Sequence, residues 1–415
     1  MFRITNRFML IVLICAFNLL AADGPSIEFV KLTDSIYKLI SKGQPVVNQV
    51  VMVGDDGLLM IDSGTAPALE ILKKELNAKF DKSVKYLINT HYHYDHTAGN
   101  IAFGKNAVII AHPNTRKRLS SGQYLLYDLP EYAMPELLVE DNITLFFSGD
   151  TLDIIHLPGG HTDTDLVVHF KKAGIVCMGD LLFSDCFPFV DLMSGGNFDT
   201  YLANIQEMIE NAAPNTIFIA GHGRDYSLED MQNYAQMMMK TAAKVRDQRD
   251  AGKTLAELQS EKILADWVDW SHGFISQNVW MQTIFDSDAG RYESQLKNIL
   301  DDLFPKIKNE SIAAAIEEYR DIKKNHKDEY IFDERYLNAV GYFLLQRERI
   351  DDALEIFKLN VEEYPKAWNV YDSLAECYNV KGNRKKAIEL YKKSLELNPE
   401  NANGKQMLAK LEGGE

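Results

Sequence analysis

His91-Tyr92-His93-Tyr94-Asp95-His96 is the stretch on which the reading of this chain turns. It spells H-x-H-x-D-H, and three later singletons, His161, Asp180 and His222, bring the imidazole and carboxylate donors to seven. Zinc takes imidazole nitrogen and carboxylate oxygen in roughly tetrahedral shells, and a catalytic ion keeps one position open for water. Seven side chains and a shared water fill two such shells, so the pattern predicts two adjacent Zn2+ ions. In an extended segment His91 and His93, two residues apart, fall on the same side and can converge on one ion. Asp95 and His96 follow, where Thr97-Ala98-Gly99-Asn100 predicts a tight turn or helix start that re-aims them towards the second ion. The apolar run Val84–Ile88 reads as a buried strand, so the cluster is expected in the loop at a strand's carboxyl end, where open α/β sheets place their sites. With only ten His in 415 residues, such a run is a rare accident, and a purely structural His cluster is the weaker account.

The later donors are less telling one by one. His161 lies in Leu157-Pro158-Gly159-Gly160-His161-Thr162, Asp180 in Cys177-Met178-Gly179-Asp180 and His222 in Ala220-Gly221-His222-Gly223. Each is flanked by Gly, and Asp180 and His222 follow apolar runs, so loops at strand ends are the expected setting.

Taken in order, Asp62 in Met60-Ile61-Asp62-Ser63-Gly64, the H-x-H-x-D-H run, His161, Asp180 and His222 make the chain resemble the metallo-β-lactamase superfamily. The resemblance implies an αββα sandwich. It also implies that His91, His93 and His161 hold the first zinc, that Asp95, His96 and His222 hold the second, and that Asp180 bridges them. Asp62 would be a buried brace for the ligand loop, as partners behind metal ligands usually are. Asp95 would also orient the attacking hydroxide, which makes it the catalytic residue. Metal coordination lowers the pKa of water to about 7 and so makes a hydroxide available to attack a carbonyl carbon at neutral pH. Covalent enzyme chemistry and an organic cofactor are not needed.

Asp180 resembles the glyoxalase II, lactonase and general metallo-hydrolase branches more than the commonest lactamase subclass, which has Cys there. Export and the stretch 111–119 are similar to proteins described as β-lactamase-like. The expected substrate is therefore a small molecule with an amide, ester or thioester carbonyl: a β-lactam, a lactone or an acyl thioester. Two alternatives stand beside this. One is an iron-dependent sulfur dioxygenase of the same superfamily. The other is a non-catalytic interaction protein, against which the complete donor set argues.

Composition narrows the field. With 44 Lys and Arg against 60 Asp and Glu, the net charge is -16, a poor basis for holding nucleic acid. Residues 1–22 read as a signal peptide: Arg3 and Arg7, then an apolar run from Phe8 to Leu20 interrupted by Asn18 and too short to span a bilayer. A periplasmic or secreted protein without a membrane span after leader removal is expected. Cys15 reads as apolar filler of that run, and the remaining Cys177, Cys186 and Cys377 do not describe a disulfide framework. Cys177 and Cys186 flank Asp180 in sequence, yet with a full nitrogen and oxygen set present they read as buried thiols. Tyr92, Tyr94, His156, Phe183 and Phe187 lie near ligands and are candidates to shape the pocket, with packing as the simpler account of each.

The expected catalytic domain is 27–303. Within it a hairpin should turn at Gly54-Asp55-Asp56-Gly57, an amphipathic helix should cover Leu69–Phe80, and strand pairs should turn near 148–150 and 171–174. Helices are predicted at 199–213 and Leu228–Asp250, with Met237-Met238-Met239 as core filler. A helical, aromatic-rich extension over 254–303 opens with the capping box Thr254 to Glu257. With a boundary near Pro305, residues 306–415 form the second domain. Here Leu337, Gly341, Leu344, Ala353, Phe357, Val361 and Pro365 recur 34 residues later as Tyr371, Ala375, Tyr378, Ala387, Tyr391, Leu395 and Pro399. That offset resembles the tetratricopeptide repeat, a helical hairpin that stacks on its neighbours. Helices at 312–324 and 403–411 would extend or cap it. The repeats are expected to bind a protein partner or to mediate self-association or packing.

Overall fold

The strands Val47–Gly54, Gly57–Ile61 and Ile175–Phe183 are buried on both faces, which explains the layering. In a computed structural model, residues 26–42, 46–121, 129–273, 275–288, 297–399 and 401–413 are described, so the leader reading and Phe274 lie outside them. β1 (Ser26–Lys31), β2 (Ile36–Lys42), β3 (Val47–Gly54) and β4 (Gly57–Ile61) form an antiparallel meander. β5 (Val84–Ile88), β6 (Val108–Ala111) and β7 (Leu137–Leu138) extend it in parallel to seven strands. A second sheet has the order β12-β11-β10-β9-β8, from β8 (Asn142–Phe147), β9 (Asp150–His156), β10 (Leu166–Phe170), β11 (Ile175–Phe183) and β12 (Ile217–His222). Its pairs are antiparallel except β11 with β12.

Alternation along β4 sorts the core. Leu59 and Ile61 meet Ile88, Ile110, Leu152, Ile154, Val168 and Ile219 between the sheets. Leu58 and Met60 point the other way, towards Leu69, Leu72 and Leu76 of the helix Leu69–Phe80, whose spacing of three and four makes one apolar stripe. On the far side the helix Phe198–Glu210 buries Phe198, Tyr201, Ile205 and Met208, and the Tyr201 hydroxyl donates to the Asp180 carbonyl of β11 at 3.1 Å. The helix Leu228–Asp250 beside it starts at a Ser227/Asp230 capping box. The result is the expected αββα order. Of the three consecutive methionines, Met237 and Met238 are in the core and Met239 is exposed.

The aromatic extension belongs to this unit. Thr254 and Glu257 cap the helix Leu255–Ser260, and Gln277–Asp288 follows. Trp280 is fully buried, with its ring 5.5 Å from Phe187 and 5.3 Å from Phe198, and its Nε1 donates to Thr241 Oγ1 at 3.0 Å. Trp280→Ala should destabilise this unit by about 3–5 kcal/mol through the cavity it leaves. Chemical denaturation followed by far-UV circular dichroism checks this; an unchanged midpoint would contradict the packing role.

The described residues from Lys297 on fall in a second compact unit. Pro305 lies inside the helix Leu300–Asn309. Proline removes one backbone bond there, but the buried face of Leu300, Leu303, Phe304 and Ile307 holds the helix across it. Beyond Ile312–Asn325 come Glu334–Gln346 with Ile350–Glu363 and Trp368–Val380 with Arg384–Leu397, then Ala402–Gly413. Apart from a two-residue ladder, Lys297–Asn298 with Tyr330–Ile331, the described part of this unit is helical and consistent with helical repeats. Gly341 shows why a small residue recurs at the crossing: a Cβ there would lie 2.4 Å from the Phe357 ring. Among the described residues no helix is long and apolar enough to cross a membrane.

Candidate metal centre

The loop after β5 carries His91, His93, Asp95 and His96, the last two on a single helical turn, Tyr94–Thr97. It is tied back to the end of β4, where Ser63 N donates to the His96 carbonyl at 2.9 Å. Gly99 permits that closeness, since a Cβ there would sit 2.1 Å from the Ser63 carbonyl oxygen. His161 lies in the β9–β10 connection, where the buried Asp165 carboxylate accepts from the Thr162 amide and hydroxyl. His222 is the last residue of β12. Asp180 corrects one expectation: it lies within β11, not in a loop after it. Register shifts around Gly179, which has φ +51, bulge the strand and aim the carboxylate inward.

The structure brings all seven predicted donors together. His91, His93, His161 and Asp180 form one group and Asp95, His96 and His222 another, with the donor atoms of each within 4.8 Å of one another. His93 Nδ1 lies 3.0 Å from His91 Nε2 and 2.9 Å from His161 Nε2. Asp180 faces both groups. Its Oδ2 is 3.7 Å from His91 Nε2 and 3.6 Å from His161 Nε2, while Oδ1 is 3.2 Å from His96 Nε2 and 3.4 Å from His222 Nε2. Asp95 Oδ2 is 3.3 Å from His222 Nε2 and 3.6 Å from His96 Nε2. His96 Nε2 and Asp180 Oδ1 are buried without a hydrogen-bond partner despite their closeness, because they are not aligned for one. Orphaned buried atoms of this kind are costly, and a cation between them removes the cost. The donor set therefore fits divalent metal.

The comparisons agree with this geometry. Residues 43–222 match the model of the Metallo-beta-lactamase superfamily. That segment is a metallo-β-lactamase superfamily domain. Over 195 residues the chain is 26% identical to a probable metallo-hydrolase of Bacillus subtilis, covering 45% of this chain and 90% of the relative. A probable metallo-hydrolase of Methanocaldococcus jannaschii is also 26% identical, over 42% of this chain and 87% of the relative. Among solved structures, a metallo-beta-lactamase from Pontibacter korlensis matches at TM-score 0.45 and 17% identity, over 52% of this chain and 99% of the other. The BLEG-1 B3 metallo-beta-lactamase matches at 0.43 and 22%, over 49% and 99%. On the family model and the two relatives, the segment 43–222 is a metallo-hydrolase domain of this superfamily.

In the metallo-β-lactamase domain every imidazole of the cluster has its other nitrogen matched to an oxygen. His91 Nδ1 lies 3.1 Å from Thr90 Oγ1, His96 Nδ1 lies 2.8 Å from Asp62 Oδ2, and His93 Nε2 lies 3.2 Å from Asp191 Oδ2. His161 Nδ1 is 2.7 Å from the Phe189 carbonyl and His222 Nδ1 2.6 Å from that of Val46. Such partners hold the outer proton, so that the inward nitrogen can serve as a lone pair towards a cation. Asp62 was foreseen. Thr90, Asp191 and the two carbonyls were not, because nothing in the spacing marks a hydrogen-bond acceptor.

Electrostatics in the metal-free domain point the same way. Burial, with the neighbouring imidazoles, holds His91 well below its ordinary value and His161 at about 4, so both stay neutral. Burial opposes charge on Asp180, but His222, His96 and His91 outweigh it and keep the carboxyl ionised. Against the same burial, Asp180 and Asp95 raise His222 to about 10, and Asp180, Asp62 and Asp95 raise His96. Protons on these two rings stand in for the positive charge that the carboxylates demand.

Of the suggested pocket residues, Phe183 stacks on His222 at 5.3 Å, but Phe187 is core beneath Trp280. Tyr92 is buried and hydrogen-bonded to Asp191, and His156 stacks on His112 at 4.1 Å. Cys177 is a buried core thiol, while Cys186 is only partly buried, and both are free.

Proposed function

We propose that the chain is an exported dizinc hydrolase that cleaves an amide, ester or thioester carbonyl of a small molecule. The observation that carries this reading is the cluster itself, seven donors in two groups, with one buried nitrogen of His96 and one buried oxygen of Asp180 lacking a hydrogen-bond partner. His91, His93 and His161 would hold one ion, Asp95, His96 and His222 the other, and Asp180 would serve both. When bound, such ions supply Lewis acidity and lower the pKa of water to about 7. The protein's part is positional. Asp95, more exposed than Asp180, presents a carboxylate that can accept a proton from the attacking water and fix its direction. Asp180 keeps the two groups in register, and the hydrogen-bonded outer nitrogens hold the imidazoles still.

Metal analysis joined to turnover of a lactam, a lactone and an acyl-glutathione tests the reading. We expect two zinc ions per chain and hydrolysis of one of these classes, abolished by a chelator and restored by Zn2+. No turnover of any would reject carbonyl hydrolysis, and one iron without zinc would favour the dioxygenase. Export is supported by Arg3, Arg7 and the apolar run after them, and N-terminal sequencing of the mature protein checks it. The helical hairpins within 334–397 support a protein-binding or self-association role, which light scattering on the full chain and pull-down with it would reveal.

A further inference from the structure

We propose that Asp191 is a positioning residue dedicated to the first ion, so that the two metal sites can be weakened separately. The inference rests on the two-ion reading above. Asp191 Oδ2 faces His93 Nε2 at 3.2 Å and accepts the Tyr92 hydroxyl at 2.6 Å, that hydroxyl lying 3.0 Å from the same His93 nitrogen, while Met193 N donates to Oδ1 at 3.2 Å. The carboxylate is held from several sides. Its backbone amide donates to the His161 carbonyl at 2.8 Å, and its own carbonyl accepts from Ser194 and Gly196. Tyr92 is itself clamped: the Arg118 guanidinium lies 4.7 Å from the ring centroid, and Arg118, almost fully buried, is fixed by the Asp163 carboxylate.

The same loop reaches both other sides of the first group. The Phe189 carbonyl takes His161 Nδ1, and the Phe189 ring stacks on His93 at 6.0 Å and meets His161 edge-on at 5.4 Å. By contrast, Asp62 accepts from His96 directly and touches His91 only through Thr90. The carboxylate braces are thus divided: Asp191 acts on His93, Asp62 chiefly on His96. A carboxylate at Nε2 keeps the proton there, so that His93 offers Nδ1 as a lone pair towards His91 and His161.

The test uses the full chain with 15N-labelled histidine, titrated with Zn2+ at buffered free concentrations while the imidazole resonances are followed. In the wild type both groups should respond. In Asp191→Ala the His93 and His161 resonances should need about 10–100-fold more free zinc, with His96 and His222 responding as before. Asp191→Asn, which keeps the shape and an acceptor oxygen, should show a smaller loss with the metal-free melting temperature unchanged, and it carries the measurement if the alanine variant does not fold. In the metal-free alanine variant His93 Nε2 is left with the Tyr92 hydroxyl, a weaker acceptor, so its preference for one tautomer should fall measurably. Wild-type affinity at the first group in both variants, or equal weakening of both groups, would overturn the role of Asp191. A wild-type protein in which neither group responds would sink the two-ion reading along with it, an outcome distinguishable from the others.

Discussion

Asp180→Ala should lower kcat/KM of the zinc-loaded protein by about a thousandfold or more, some 4 kcal/mol of lost transition-state stabilisation. Among the seven donors Asp180 alone faces both groups, with one oxygen turned to His91 and His161 and the other to His96 and His222. Removing it takes a charge and two donor atoms from both sites at once. The neighbouring Gly221 sharpens the test. A Cβ there would lie 2.1 Å from Asp180 Oδ1, so Gly221→Ala should displace the carboxylate and reproduce much of the loss without changing any donor. Steady-state kinetics on the substrate class identified by the panel, with bound zinc counted in parallel, checks both. Near wild-type turnover in Asp180→Ala would refute the shared-ligand role.

The second large effect is expected at Asp62. This buried carboxylate accepts from Thr90 N at 2.8 Å, Thr90 Oγ1 at 2.9 Å and His96 Nδ1 at 2.8 Å. It does so from φ +58, a left-handed conformation that costs a non-glycine residue energy and persists only where its surroundings enforce it. Asp62→Ala strands three donors in the interior and should destabilise the metal-free domain by about 3–5 kcal/mol. Second-ion affinity should fall by about 10–100-fold as His96 loses its brace. Asp62→Asn, which can still accept, should recover part of the stability. Denaturation of the metal-free protein and zinc titration measure the two losses, and a variant unaffected in both would remove Asp62 from the architecture.

Much of this was legible in one dimension because the physics involved is local. The helix Leu69–Phe80 follows from the spacing of Leu69, Leu72 and Leu76, and the β3–β4 hairpin from two apolar runs around Asp55 and Asp56. The 34-residue recurrence exposes the helical pairs, since a repeat cannot bury its apolar face without a neighbour like itself. Pro305 lies inside a helix because a buried face carries the helix past it, which a proline read by itself does not reveal. Asp180 was expected in a loop because Gly179 and Asp180 interrupt the apolar run, but the run resumes at Leu181 and the strand continues through a bulge at Gly179.

By itself, the order of residues determined the identity of the donors, since metal chemistry restricts them to few residue types and the H-x-H-x-D-H spacing sets four of them side by side. Only the folded chain decided which nitrogen of each imidazole points inward. That choice is made by acceptors far away in sequence, Asp191 for His93 and Val46 for His222, 98 and 176 residues distant. Hydrophobic periodicity reports the burial of a segment on its own surroundings. A tautomer is set by one oxygen arriving from elsewhere, and its position exists only after the sheets have packed.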